Sequence, residues 1–286
     1  MKPQAKLQAI RGAALTFRGD PFLIGAAAAM HYEPDALIVM EAGLIKAFGA
    51  YADLRNQLNP QTPITIYADA LIMPGFIDLH VHYPQTQIIG AYGKQLIDWL
   101  NRYTFVAEQQ FADIDHARMV SQFFLDECLR VGTTTAMVDP HELANVLGLD
   151  GIRLVLDAAE GLPLEIHVML PSCVPASPFE SAAAALDASA LRALSGHPGV
   201  LGLGELMNFP GALAGDPDLL AKAALFGPDG HVDGHAPGVR GRDLSAYILA
   251  GPRTDHESTT LAEAEERLPM TEGQRDALLF ASREFS

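Results

Sequence analysis

The sequence predicts an α/β protein: a TIM-like (β/α) barrel, incomplete at about six βα units, preceded by a small N-terminal β domain. Three observations predict it. Residues 1–68 contain only short β-like runs broken by Gly, Pro and Asn. From Phe76 the rhythm becomes apolar strand, polar turn and amphipathic helix, repeated. Side chains able to ligate metal recur where those strands end, which is where such barrels place their chemistry. The expected organisation is therefore 1–68 as the β portion, 69–265 as the barrel and 266–286 as an unassigned tail.

The β portion rests on "AIRGAALTF", "ALIVMEAGLIKAFGA" and "ITIYADALIMPG". The barrel strands are expected at "FIDLHVH", "TTTAMVD", "EIHVML", "GVLGLGE", "HVDGHA" and "PRTDHE". Between the first two lies "DIDHARMVSQFFLDECLRVG", with Val120, Phe123, Phe124 and Cys128 on one face, Asp113 as the cap and Gly132 as the stop. "GRDLSAYILAG" and "STTLAEAEERL" read as helices in the same way, and "SAAAALDASALRALSG" reads as an ordinary alanine-rich helix.

Composition narrows the function. The chain has 286 residues, 49% of them hydrophobic, enough for one barrel-sized core and a smaller partner. A net charge of −16 without a basic cluster argues against a nucleic-acid polymer or an anionic membrane as partner. Two cysteines, Cys128 and Cys173, are too few for a disulfide framework and suit a reducing cytoplasm. No apolar run reaches the roughly 20 residues that span a bilayer, and the N-terminus lacks an export-signal pattern. The expectation is a cytoplasmic protein.

His80 and His82 alternate along the first barrel strand, so both imidazoles project from one face. Asp139, His141 and Glu142 follow the second strand, Glu205 ends the fourth, Asp233 and His235 the fifth, and Asp255, His256 and Glu257 the sixth. Imidazole and carboxylate donors suit Zn²⁺ first, with Fe²⁺ or Mn²⁺ as alternatives, as one or two divalent ions. An open coordination position would supply a metal-bound hydroxide near neutral pH, hence metal-assisted hydrolysis. Glu205 also suits a carboxylate at a helix N-terminus, and Asp-Pro before His141 also suits a helix start. His31, His116, His167 and His197 read as surface or packing residues, and Cys173 as a buried or loop thiol.

"PGFIDLHVH" resembles the first-strand motif of the amidohydrolase superfamily, metal-dependent hydrolases whose barrel carries a flanking β-sandwich. Residues 8–136, with "HYPQ" and "VGTTTAMV", resemble guanine deaminase. Residues 137–265, with "DPHELANVLGLDGI", "GLGELMNFPG", "DGHAPGVRGRDLSAYILAG" and "TDHESTTLAEA", resemble adenine deaminase, so the chain reads as a chimera joined at Gly132–Thr135. The resemblance implies a hydrolytic deaminase taking guanine to xanthine or adenine to hypoxanthine, with a small purine base and water as its partners. It implies His80, His82, Glu205, His235 and His256 as metal ligands, Glu205 and His256 as catalytic, and Gln85 as the contact to the base. Another cyclic amidohydrolase, or a catalytically weak metal-binding fragment needing a partner, is the alternative. Six expected strands against the family's eight give a barrel read as C-terminally truncated. No counterpart of its strand-eight aspartate is evident, so weak turnover and homo-oligomeric association through open edges are expected.

Overall fold

The computed structural model describes residues 7–175, 184–227 and 230–267, with the side chains of 96 and 97 excepted. Contacts divide the chain into two units, which meet between Gly75 and Phe76.

The first unit is one four-stranded sheet made of β1 (Gln8–Phe17), β2 (Met30–Glu41), β3 (Leu44–Ala50) and β4 (Ile64–Ile72), in the order β3-β2-β1-β4. β1 pairs antiparallel with β2 and parallel with β4. Residues 42 and 43 form the β2–β3 hairpin, where Ala42 (φ 54°) and Gly43 (φ 78°) both adopt the left-handed conformation that a tight two-residue hairpin requires. Side chains alternate across β2: Leu37 and Val39 join Ala9 in one small core cluster, while Ala36 and Ile38 join Ala14 in another. The unit is β-rich, and its described residues form a single sheet.

The second unit holds five parallel strands, β5 (Phe76–Val81), β6 (Thr133–Val138), β7 (Glu165–Pro171), β8 (Val200–Leu206) and β9 (His231–Gly234). Their spatial order is their chain order, with helices between successive strands, as in an incomplete (β/α) barrel. Continuous buried runs mark the inner strands: Ala136, Met137 and Val138 in β6, and Val168, Met169 and Leu170 in β7.

Three expectations need correction. The sixth run, "PRTDHE", forms no ladder strand; Arg253 N–H donates to the Val232 carbonyl of β9, and Thr254 and His256 reach Asp233 through their side chains. Pro252 has no N–H to give, which limits pairing there. The helix Ile114–Val131 is capped by the Asp113 side chain, which accepts from the Asp115 and His116 amides, and stopped by Gly132 at φ 89°. It buries Val120, Phe124 and Cys128, but Phe123 faces solvent at 53% exposure, because the inward stripe advances through Ala117, Ser121 and Leu125 instead. Among its described residues the alanine-rich segment is α-helical over Ala188–Leu191, where Asp187 caps the start by accepting from Ala190; residues 181–183 of that expectation lie outside the described residues. Among the described residues no helix is long and apolar enough to cross a membrane.

Candidate metal centre

The strand order brings the predicted residues together at one end of the sheet. β5 delivers His80, and His82 follows it directly; their Nε2 atoms lie 3.0 Å apart. β8 delivers Glu205, only 4% exposed, whose Oε1 sits 3.0 Å from His235 Nδ1 and 2.9 Å from His256 Nε2. Glu205 Oε2 lies 3.4 Å from His82 Nε2 and 3.6 Å from His141 Nδ1, and Oε1 lies 3.7 Å from His80 Nε2. One buried carboxylate thus faces five imidazoles. The absent ladder at 252–257 does not displace His256, whose ring stacks on His80 at 3.8 Å between centroids.

A second set of carboxylates packs against the same rings. Asp233 Oδ2 is 3.1 Å from His80 Nδ1 and 3.5 Å from His256 Nδ1. Glu142 Oε1 is 3.3 Å from His82 Nδ1. Asp139 is buried at the end of β6 and lies 3.6 Å from His141 Nδ1. Gly204 in β8, two strands along the sheet, leaves the space that the Asp139 carboxylate fills; a Cβ there would collide with it. The sequence marks Asp139, His141, Glu142 and Asp233 only as ligand-capable strand-end residues. Their place in the centre is signalled by Asp233 standing two residues before His235, and by "DPHE" immediately after β6.

Gln85 lies in the short 3₁₀ turn Tyr83–Ile88 after β5, and its Nε2 donates to Glu142 Oε1 at 2.9 Å. It therefore stands beside the histidine cluster.

The electrostatics follow from packing carboxylates against rings with little water. Burial disfavours a charged His82, but Glu142 and Glu205 outweigh it and raise its pKa well above the ordinary value. Burial is likewise overcome at His141, raised to about 9 by Glu142 and Asp139, and at His256, raised to about 10 by Asp233 and Glu205. On the other side, burial of Glu142 is outweighed by His141 and His82, which bring it down to about 2. Glu205 and Asp233 are lowered as well, against burial, by the histidines bonded to them. The pocket favours positive charge.

That preference and the donor set fit a divalent transition ion. His82 Nδ1, His141 Nδ1, His256 Nδ1 and Glu142 Oε2 are buried without a hydrogen-bond partner, so the cluster is not satisfied by its own contacts. Sets such as His80, His82 and Glu205, or Glu205, His235, His256 and Glu257, each place their donor atoms within 4.8 Å of one another.

Comparison with known proteins gives the family. The amidohydrolase family matches residues 71–273. An adenine deaminase of Nitratidesulfovibrio vulgaris (strain DP4) is 46% identical over 200 residues, which is 70% of this chain and 29% of that protein. An adenine deaminase of Methylobacterium sp. (strain 4-46) is 42% identical over 228 residues, 79% of this chain and 33% of that protein. These matches are longer than the stretch 137–265, so the likeness to adenine deaminases also reaches outside it. The chain spans about a third of the length of these curated relatives. Among solved structures, guanine deaminase of E. coli superposes with a TM-score of 0.68 at 23% identity, covering 93% of this chain and 65% of that one. Guanine deaminase from Bradyrhizobium japonicum gives 0.64 at 28% identity, covering 86% and 53%. Motif, strand order and family match together establish that the chain belongs to the amidohydrolase family.

Proposed function

We propose that the chain carries the metal centre of a purine-base deaminase, which replaces the ring amino group of guanine or adenine with oxygen from water and releases ammonia. The observation that supports it most directly is Glu205 set among His80, His82, His235 and His256, with Gln85 alongside. These four histidines and Glu205 would hold one or two divalent ions, Zn²⁺ first. Such an ion, when bound, makes water a competent nucleophile at neutral pH and stabilises the charge that develops on the ring.

The chain's own side chains would do the rest. Asp233 would orient His80 through the hydrogen bond at Nδ1, while Asp233 and Glu142 attract the Nδ1 atoms of His256 and His82, which face away from Glu205, by charge. Glu205 and His256 are the pair we assign to proton movement, since Glu205 Oε1 and His256 Nε2 are 2.9 Å apart and the carboxylate is buried. Gln85 reads the edge of the base through its amide. We place a flanking β-sandwich at the first unit, of which the four-stranded sheet would be one layer. We also infer self-association through the β5 edge, where Phe76, Ile77 and Leu79 are exposed.

The test is ammonia release from guanine and from adenine by metal-loaded, monodisperse protein, with a His80→Ala/His82→Ala double variant as control. Release that depends on the two histidines supports the reading. Bound metal without ammonia from either base would identify a metal-binding unit that is not a deaminase by itself.

A further inference from the structure

We propose that Glu142 is a positioning residue for substrate choice: it locks the Gln85 amide with the oxygen turned outward, so that the site reads an N–H on the purine edge rather than a lone pair. The inference rests on the purine reading above and deepens it.

An amide side chain has one accepting and one donating end, and nothing intrinsic decides which end faces a ligand. A carboxylate only accepts. Glu142 is 1% exposed in the first turn of the helix His141–Leu147, directly after the Asp139–Pro140 step that follows β6, so bulk water does not take the place of its partner. Its Oε1 lies 2.9 Å from the terminal amide of Gln85. Only Nε2 of that amide satisfies an accepting oxygen; turning it would set Oε1 against a buried carboxylate. The amide is planar, so with Nε2 committed to Glu142 its Oε1 is directed away from Glu142, on a side chain that is itself partly exposed.

The Glu142 oxygen that meets Gln85 also faces a ring. The same Oε1 is 3.3 Å from His82 Nδ1, and the helix carrying Glu142 begins where the Asp139 carboxylate accepts from the His141 amide at 3.2 Å. One oxygen therefore joins the outer face of a candidate metal ligand to the reader of the base. The reader's orientation is set by the same residue that orients His82.

The consequence for recognition is chemical. Beside the carbon that loses ammonia, guanine presents N1–H, a donor, whereas adenine presents N1 as a lone pair. An acceptor fixed near the centre favours the first and repels the second. Net differences of this kind correspond to about ten-fold in binding.

Hypoxanthine and unsubstituted purine make a clean probe pair, because neither has an amino group to lose and they present N1–H and a lone pair respectively. Binding of each to the metal-loaded full chain is measured by calorimetry, with metal content and circular dichroism recorded for every variant. We expect hypoxanthine to bind about ten-fold more tightly than purine. In Glu142→Gln the new amide can accept or donate, Gln85 is free to turn, and the ratio of the two affinities should fall to within about two-fold. Gln85→Leu should lower the ratio in the same way, and Glu142→Gln added to it should change nothing further, which a merely structural role for Glu142 would not produce. The difference at C6 between the probes is common to all variants and cancels. An affinity ratio unchanged in Glu142→Gln with metal retained overturns the proposal and leaves the purine reading standing. An unchanged ratio in Gln85→Leu overturns it equally, and decides the matter if Glu142→Gln loses its metal. Binding of neither probe by the unaltered protein overturns the purine reading, and this inference with it.

Discussion

Asp233 Oδ2 lies 3.1 Å from His80 Nδ1, so the ring presents its other nitrogen to Glu205 and His82. A carboxylate behind a metal-binding imidazole fixes its tautomer and raises its basicity, and removing such a partner typically weakens metal binding by about 10–100-fold. We expect Asp233→Asn to lower metal affinity within that range while retaining the fold. Competition with a chromogenic chelator measures it, and an affinity equal to that of the unaltered protein would remove Asp233 from the centre.

His80→Ala with His82→Ala should take away most of the bound metal, because the two rings supply facing nitrogens 3.0 Å apart. Elemental analysis of purified protein is the check. Metal retained at full stoichiometry would show that the ion sits elsewhere.

The pKa shifts give the metal-free protein a defined pH window. His256 and His141 titrate from an ordinary 6.5 up to about 10 and about 9, so the stability they contribute is complete below 6.5 and is lost as pH rises through those values. Glu142 falls from 4.5 to about 2, so its contribution is complete above 4.5 and is lost as pH drops towards 2. Thermal unfolding in chelator should therefore be most favourable to the native state between 4.5 and 6.5, with Tm declining on both sides. Metal binding competes with the same protons, so the stabilisation that added metal confers should grow as pH rises from 6.5. A metal-free Tm that climbs from pH 6.5 to 9 would contradict the assignment of the histidine charges.

Leu203 in β8, two residues before Glu205, is fully buried and paired with Leu170 of β7 and Val232 of β9. Leu203→Ala should destabilise the second unit by about 2–5 kcal/mol through lost transfer energy and the cavity left behind. Chemical denaturation monitored by circular dichroism gives the value.

The exposed β5 edge should make the protein associate in a concentration-dependent way, and Ile77→Lys should reduce that association. Sedimentation velocity over a dilution series decides it; a monomer at every concentration would rule the edge out as a contact.

The parts of this site legible in the sequence are those set by local periodicity. His80 and His82 share a face because strands alternate, and Glu205 is marked by ending an apolar run. The cap at Asp113 and the stop at Gly132 are legible for the same local reason. What the sequence hides is tertiary. Gln85 and Glu142 are 57 positions apart, and nothing in either neighbourhood announces that they share a hydrogen bond. Asp233 reads as one more strand-end acid until its carboxylate is found behind two rings. The run at 252–257 looks like a strand by composition, yet Pro252 withholds a donor and the segment delivers His256 without joining the ladder.

The spacing of the centre along the chain has a mechanical consequence. His80 and Asp233 touch across 153 positions of sequence, and Glu205 and His256 across 51. An ion held by His80, Glu205 and His256 would fasten the first strand of the sheet to the segment beyond its last, closing loops as long as those a disulfide closes in a far larger protein. Such a staple acts chiefly on the unfolded chain, whose freedom it removes, and its effect grows with the length enclosed. Loss of the ion would return that freedom to the unfolded chain and so lower the stability of the whole sheet, not of one strand alone.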